Sequence, residues 1–154
     1  MGKSSAYDYI QAMSENTDFR GAKLALFIGG QLAVIMRDNK PGLVWAGHLD
    51  LPGGGREAGE RPEECAIRET REELGLIIQE HELIWKRAFR ARTGEPVWFF
   101  AAHLSAEREQ DIRFGDEGQY WQLMPPEEYL AHPRAIPHFA ERVRIFLLET
   151  EAAG

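Results

Sequence analysis

The stretch PGGGREAGERPEECAIRETREELGL, residues 52–76, restricts this chain more than any other segment does. Gly53, Gly54 and Gly55 have no side chains to pack, so they are expected to form a tight turn where backbone approaches a ligand or ion closely, with a carbonyl turned inward. Pro62 suits the first turn of a helix, and Glu63 and Glu64 favour the positive end of its dipole. Gly75 falls where a left-handed C-terminal cap belongs. The spacing predicts a helix from about Pro62 to Leu74.

At about 100° per residue, Ala66, Ile67, Thr70 and Leu74 share one side of that helix, which is expected to pack on a sheet. Glu69, Glu72 and Glu73 stand at i, i+3 and i+4 and project from a second face. Two readings are open. The glutamates form a solvated face tied to arginines, Arg68 being placed at i−4 to Glu72, or they form a platform for a cation. Like charges at i and i+4 oppose the helix unless a cation joins them, and hard carboxylate oxygens suit Mg²⁺ or Mn²⁺ rather than zinc.

The remainder of the chain surrounds this segment with alternating strand and turn signals. KLALFIGGQLAVIMRD reads as two strands about Gly29-Gly30, and LDL at 49–51 as a short strand. LIIQEHELIWKRAFRART and PVWFFAAHLS read as two strands joined at Thr93-Gly94, and GQYWQLM as another. Phe139, Val143, Phe146 and Leu147 recur at helical spacing, which predicts a C-terminal amphipathic helix. With 154 residues, 44% of them hydrophobic, one domain with a single packed core is expected. Residues 1–21 carry little pattern and are expected to be an N-terminal tail or short helix; residues 22–154 form the domain.

The glycine run and the helix together resemble the Nudix hydrolases, whose signature is G-x5-E-x7-R-E-U-x-E-E-x-G-U, with U a bulky aliphatic residue. Gly54, Glu60, Arg68, Glu69, Glu72, Glu73, Gly75 and Leu76 fall on it without insertion. Thr70, at the first U position, departs from it; a β-branched threonine still offers a methyl to the sheet, so a small packing penalty is expected. The resemblance implies an α/β fold, a Nudix-type α/β/α sandwich with a mixed central sheet, the box loop-helix and a C-terminal helix. It implies divalent-cation-dependent cleavage of the diphosphate linkage in a nucleoside diphosphate linked to X or a nucleoside triphosphate. Carried over, Glu69, Glu72 and Glu73 would hold Mg²⁺ or Mn²⁺, joined by the Gly53 carbonyl. Arg68 would orient the glutamates, and Glu60 would support the site from behind, with Gly54 beside it. The general base would be Glu69 or an acidic residue of a later loop. RFGDEGQYW supplies Asp116 and Glu117, and Glu117 is favoured as ligand or base.

Outside the box, Arg37, Arg90 and Arg92 have the bidentate geometry that clamps phosphates, and Trp45, Trp98 and Phe100 have faces on which a base could stack. His48 adjoins the glycine turn. The formal net charge of −7 disfavours binding to a nucleic-acid backbone. No run of apolar residues is long enough for a membrane span, and no secretory signal is recognisable. Cys65 is the only cysteine, so no internal disulfide forms. A cytoplasmic enzyme acting on a small nucleotide-like diphosphate is expected, with a homodimer as the default assembly. A binding sensor on the same fold and an RNA 5′-end pyrophosphohydrolase are the competing readings.

Overall fold

The computed structural model describes residues 18–153. Most of the tail expected over residues 1–21 therefore lies outside the described residues. Phe19, near the end of that segment, is buried in the core, and the Arg20 amide donates to the Pro96 carbonyl at 2.8 Å.

Strands β1 (Gly21–Ile28) and β2 (Gln31–Met36) form the expected hairpin. Gly29 and Gly30 make its turn at φ 58° and 83°, the left-handed region that side-chain residues avoid. β3 (Leu49–Asp50) pairs with β2, while β4 (Gly53–Gly55) pairs antiparallel with the start of β1, Gly54 opposite Ala22. The glycine run expected to be a turn is thus itself a strand. Its side-chain-free residues are needed because a Cβ at Gly53 would strike the Ala22 carbonyl, and one at Gly21 the Gly54 carbonyl.

Helix α1 (Pro62–Leu74) has the predicted bounds. Leu76 to Gln79 precede a single turn of 3-10 helix (Glu80–Glu82), so β5 begins at Leu83 rather than at Leu76 and runs to Arg90. β6 (Pro96–Leu104) lies between β5, antiparallel, and β1, parallel, from Gly21↔Val97 to Ile28↔Leu104. β7 (Tyr120–Met124) joins the other edge of β2. A short helix α2 (Pro126–Ala131), not foreseen, precedes the C-terminal helix α3 (Pro137–Ala153). Its six residues are too few to show a helical repeat in sequence.

The sheet is mixed and covered on both faces. Leu24, Leu26, Trp98, Phe100 and Ala102 point to the α1 side, and Ala25, Phe27, Phe99 and Ala101 to the side of α3, where Val143 and Phe146 meet them. Two-sided burial explains why β1 and β6 read as near-continuous apolar runs. Trp98 and Phe100 are each 1% exposed and belong to the core, not to a stacking surface. Cys65 is also fully buried and takes the central place on α1 expected of Ile67, which is only half-buried.

Candidate active site

Both ends of α1 are fixed by local chemistry. The Arg61 amide donates to the Glu64 carboxylate at 2.8 Å, and Pro62 fills a first-turn position that has no amide to satisfy. Gly75, at φ 69°, donates to the Arg71 carbonyl. The following carbonyls are met from a distant segment: Arg113 donates to Leu74 at 2.7 Å and Gly115 to Glu73 at 2.9 Å. Gly115 lies so close that a Cβ there would strike the Glu72 carbonyl. This docking brings the Asp116–Glu117 loop to the glutamate flank.

The Thr70 hydroxyl donates to the Ala66 carbonyl at 2.8 Å, which satisfies its polar atom while the residue stays fully buried. The departure from the signature is accommodated inside the helix.

Glu69, Glu72 and Glu73 share the flank facing β4. Glu69 packs against Gly54 so closely that a Cβ on the glycine would overlap its carboxylate. Glu73 accepts from the Gly53 amide at 2.8 Å. Burial pushes the Glu73 carboxyl up to about 7, despite the opposing charge of Lys23. Burial likewise raises Glu69, with Glu72 and Glu117 adding repulsion against the pull of Arg68. Glu72 is half-exposed and accepts from Arg68 at 3.1 and 3.2 Å.

Arg68 organises the loop around that flank. Its guanidinium donates to both oxygens of Glu60, to Glu72 and, at 2.8 Å, to the Gly55 carbonyl. The Glu60 carboxyl is held below the ordinary range, chiefly by Arg68, and also accepts from the Glu57 amide at 2.9 Å. Glu60 and Arg68 thus tie the 56–60 loop to α1.

All three β4 carbonyls have protein partners. That of Gly53 accepts from the Lys23 ammonium at 2.9 Å, that of Gly54 from the Cys65 thiol, and that of Gly55 from Arg68. Among the described residues, no three His, Cys, Asp or Glu side chains are gathered tightly enough to hold a metal ion. Glu72 is drawn to Arg68 and Glu73 to the Gly53 amide. The donor set nevertheless fits a hard cation: it consists of carboxylate oxygens, and burial keeps Glu69 and Glu73 raised even with Arg68 and Lys23 acting on them.

Lys23 and Asp50 escaped notice in the sequence. Lys23 bridges the Gly53 carbonyl, the Leu51 carbonyl and Asp50, which is 5% exposed. The only available signal was a charge inside each apolar strand run. Arg37, a candidate phosphate ligand, pairs with Asp50 at 3.0 Å and donates to the Val44 carbonyl. Arg92 is exposed in the β5–β6 turn. Arg90 donates across that turn to the Gly94 carbonyl at 2.7 Å. Trp45, partly exposed at φ 55°, has its ring centre 5.0 Å from that of His48, edge-on, and 6.0 Å from that of His138, tilted. The His48 Nδ1 lies 2.9 Å from the Ala46 carbonyl.

The chain matches the NUDIX domain model over residues 20–144. It is 34% identical over 110 residues to a nucleoside triphosphatase NudI of Salmonella arizonae, covering 66% of this chain and 77% of that protein. It is 27% identical over 141 residues to an RNA pyrophosphohydrolase of Erythrobacter litoralis, covering 73% of this chain and 84% of that one. An Ap4A hydrolase of Caenorhabditis elegans shares its fold at a TM-score of 0.67 and 20% identity, over 86% of this chain and 99% of the other. With the signature glutamates Glu69, Glu72 and Glu73 on one helix flank and the domain match spanning most of its length, the chain belongs to the Nudix family of hydrolases, enzymes of phosphoanhydride bonds.

Proposed function

We propose that the chain is a divalent-cation-dependent pyrophosphohydrolase that cleaves the diphosphate linkage of a nucleoside diphosphate linked to X or of a nucleoside triphosphate. The observation that carries this reading is the flank of α1, where Glu69 and Glu73 lie against Gly54 and Gly53 of β4 with Glu72 beside them, and where burial raises Glu69 and Glu73 despite Arg68 and Lys23. A bound Mg²⁺ or Mn²⁺ would add positive charge there, neutralise diphosphate oxygens and acidify the attacking water. Glu69, Glu72, Glu73, Glu117 and the Gly53 carbonyl are the residues that would hold it, Gly53 exchanging Lys23 for the ion. Arg68 and Glu60 position the glutamates, and Gly54 leaves the space Glu69 occupies. Glu69 and Glu117 are the two carboxylates available to take the water proton.

The names of the relatives support a nucleotide-like substrate, and the net charge of −7 favours a small one over a long polyanion. The likeness to an RNA pyrophosphohydrolase supports a second reading, removal of diphosphate from RNA 5′ ends. Measurement of phosphate and nucleotide release with Mg²⁺ across mononucleotides, sugar nucleotides, dinucleoside polyphosphates and triphosphorylated RNA separates them. Preferential cleavage of mononucleotide-type compounds is expected. Preference for the RNA would install the second reading, and tight binding without product from any compound would identify a sensor.

A further inference from the structure

On the face of the sheet that carries α3, the side chains of Lys23, Arg37 and Arg142 gather around Asp50 and Phe139, a positive grouping that the acidic composition of the chain does not foretell. Lys23 and Arg37 share one carboxylate, Asp50, at 3.0 Å each. Beyond them on α3 lies Arg142, half-buried, its guanidinium carbon 4.6 Å from the centre of the Phe89 ring and 5.9 Å from that of Phe139. The Lys23 ammonium lies 5.3 Å from the same Phe139 ring, so one aromatic side chain separates Arg142 from the residue that contacts Gly53.

No carboxylate among the described residues forms an ion pair with Arg142. On its own helix Glu141 turns to Arg144 and Glu149 to Arg87 and Trp85, while the positions one turn away are His138 and Phe146. His138 cannot serve as an anion, and burial together with the Arg142 and Lys23 charges holds its pKa below the ordinary range. Burial also depresses the Arg142 pKa, a sign that the charge is being desolvated without compensation. A guanidinium backed by two rings and without an ion-pair partner among the described residues is chemically suited to a ligand anion.

We propose that Arg142 is a phosphate-binding residue: it receives a phosphate group that the substrate carries outside the scissile diphosphate, reached past Lys23 from the Gly53 carbonyl, and so selects substrates that bear one. The identity of this ligand rests on the pyrophosphohydrolase reading above, whereas the anion site itself does not.

The test uses ribose 5-phosphate as probe and ribose as the neutral control, in metal-free buffer, where the glutamate flank offers no attraction to an anion. Binding is followed by the ¹⁵N–¹H resonance of the Arg142 Nε in the wild type, and by calorimetry in Arg142→Lys and Arg142→Gln. The expected result is a saturable shift with ribose 5-phosphate and none with ribose. Affinity should fall about tenfold in Arg142→Gln and be partly retained in Arg142→Lys, the scale of one charge-assisted contact. Circular dichroism and thermal unfolding establish that both variants are folded. On turnover of a phosphate-bearing substrate, Arg142→Gln should raise KM by a similar factor at unchanged kcat. Absence of binding to the wild type, equal affinity in all three proteins, or a loss confined to kcat would overturn the proposal. A protein that binds the probe through Arg142 yet hydrolyses nothing with Mg²⁺ would refute the hydrolase reading alone.

Discussion

The individual side chains of the α1 flank divide into those expected to take part in the chemistry and those that hold them in place. Glu72→Gln and Glu73→Gln each remove a charged oxygen donor without changing size, so steady-state assays at saturating Mg²⁺ should show kcat lowered by orders of magnitude in folded protein. Near wild-type turnover would refute the ligand assignment. Glu60 acts differently, through Arg68. Its folded pKa lies below the ordinary glutamate value of about 4.3, so the stabilisation is fully present above that value and is lost as pH falls through the folded pKa. Glu60→Gln should therefore unfold at a lower temperature than the wild type at about pH 6, and the gap should narrow below about pH 4. A constant gap across that range in thermal melts would show that the ion pair adds nothing. Thr70 shows how a polar residue enters an apolar position: its hydroxyl folds back to the Ala66 carbonyl, so only the methyl needs packing.

At the level of elements, the site is where a strand without side chains meets a helix with three carboxylates. β4 can lie against both β1 and α1 only because no Cβ intrudes, and the three glycines are not equivalent in this. Gly54 faces the Glu69 carboxylate, whereas a Cβ at Gly55 would enter open space. Gly54→Ala should lower turnover about tenfold or more, since a misplacement on the order of 1 Å has that effect, while Gly55→Ala should leave it nearly unchanged. Equal activities would separate the β4–α1 contact from function. The loop after β6 belongs to the same assembly, because Arg113 and Gly115 bond to the last carbonyls of α1. Glu117→Gln should consequently reduce kcat, and an unchanged rate would return that loop to a purely structural role.

For the molecule as a whole, the sheet separates two cores, one against α1 and one against α3, while Lys23 joins the two sides by contacting both the Gly53 carbonyl and the Phe139 ring beside Arg142. Cys65 reports on the integrity of the first core: it is fully buried and its thiol is pushed up to about 12 by burial. Thiol-labelling reagents should leave it unmodified in the native state and modify it at a rate that follows global unfolding in denaturant. Rapid labelling in native buffer would show that α1 opens locally. The helix limits, the hairpin at Gly29-Gly30 and the acidic flank followed from the sequence alone, because capping residues, glycine turns and helical period are local properties. The same locality explains the β4 misreading: a glycine triplet specifies closeness but not its partner, and only the pairing with β1 makes it a strand. Likewise the pairing of Arg37 with Asp50 cannot be read from either residue's own neighbourhood. Residue types determined by themselves that this chain would carry a helix with three carboxylates on one flank. Which charges find partners, which carbonyls are taken and which cation is left over were decided by tertiary contacts between segments more than 80 residues apart, whose pairing is written in no short stretch of sequence.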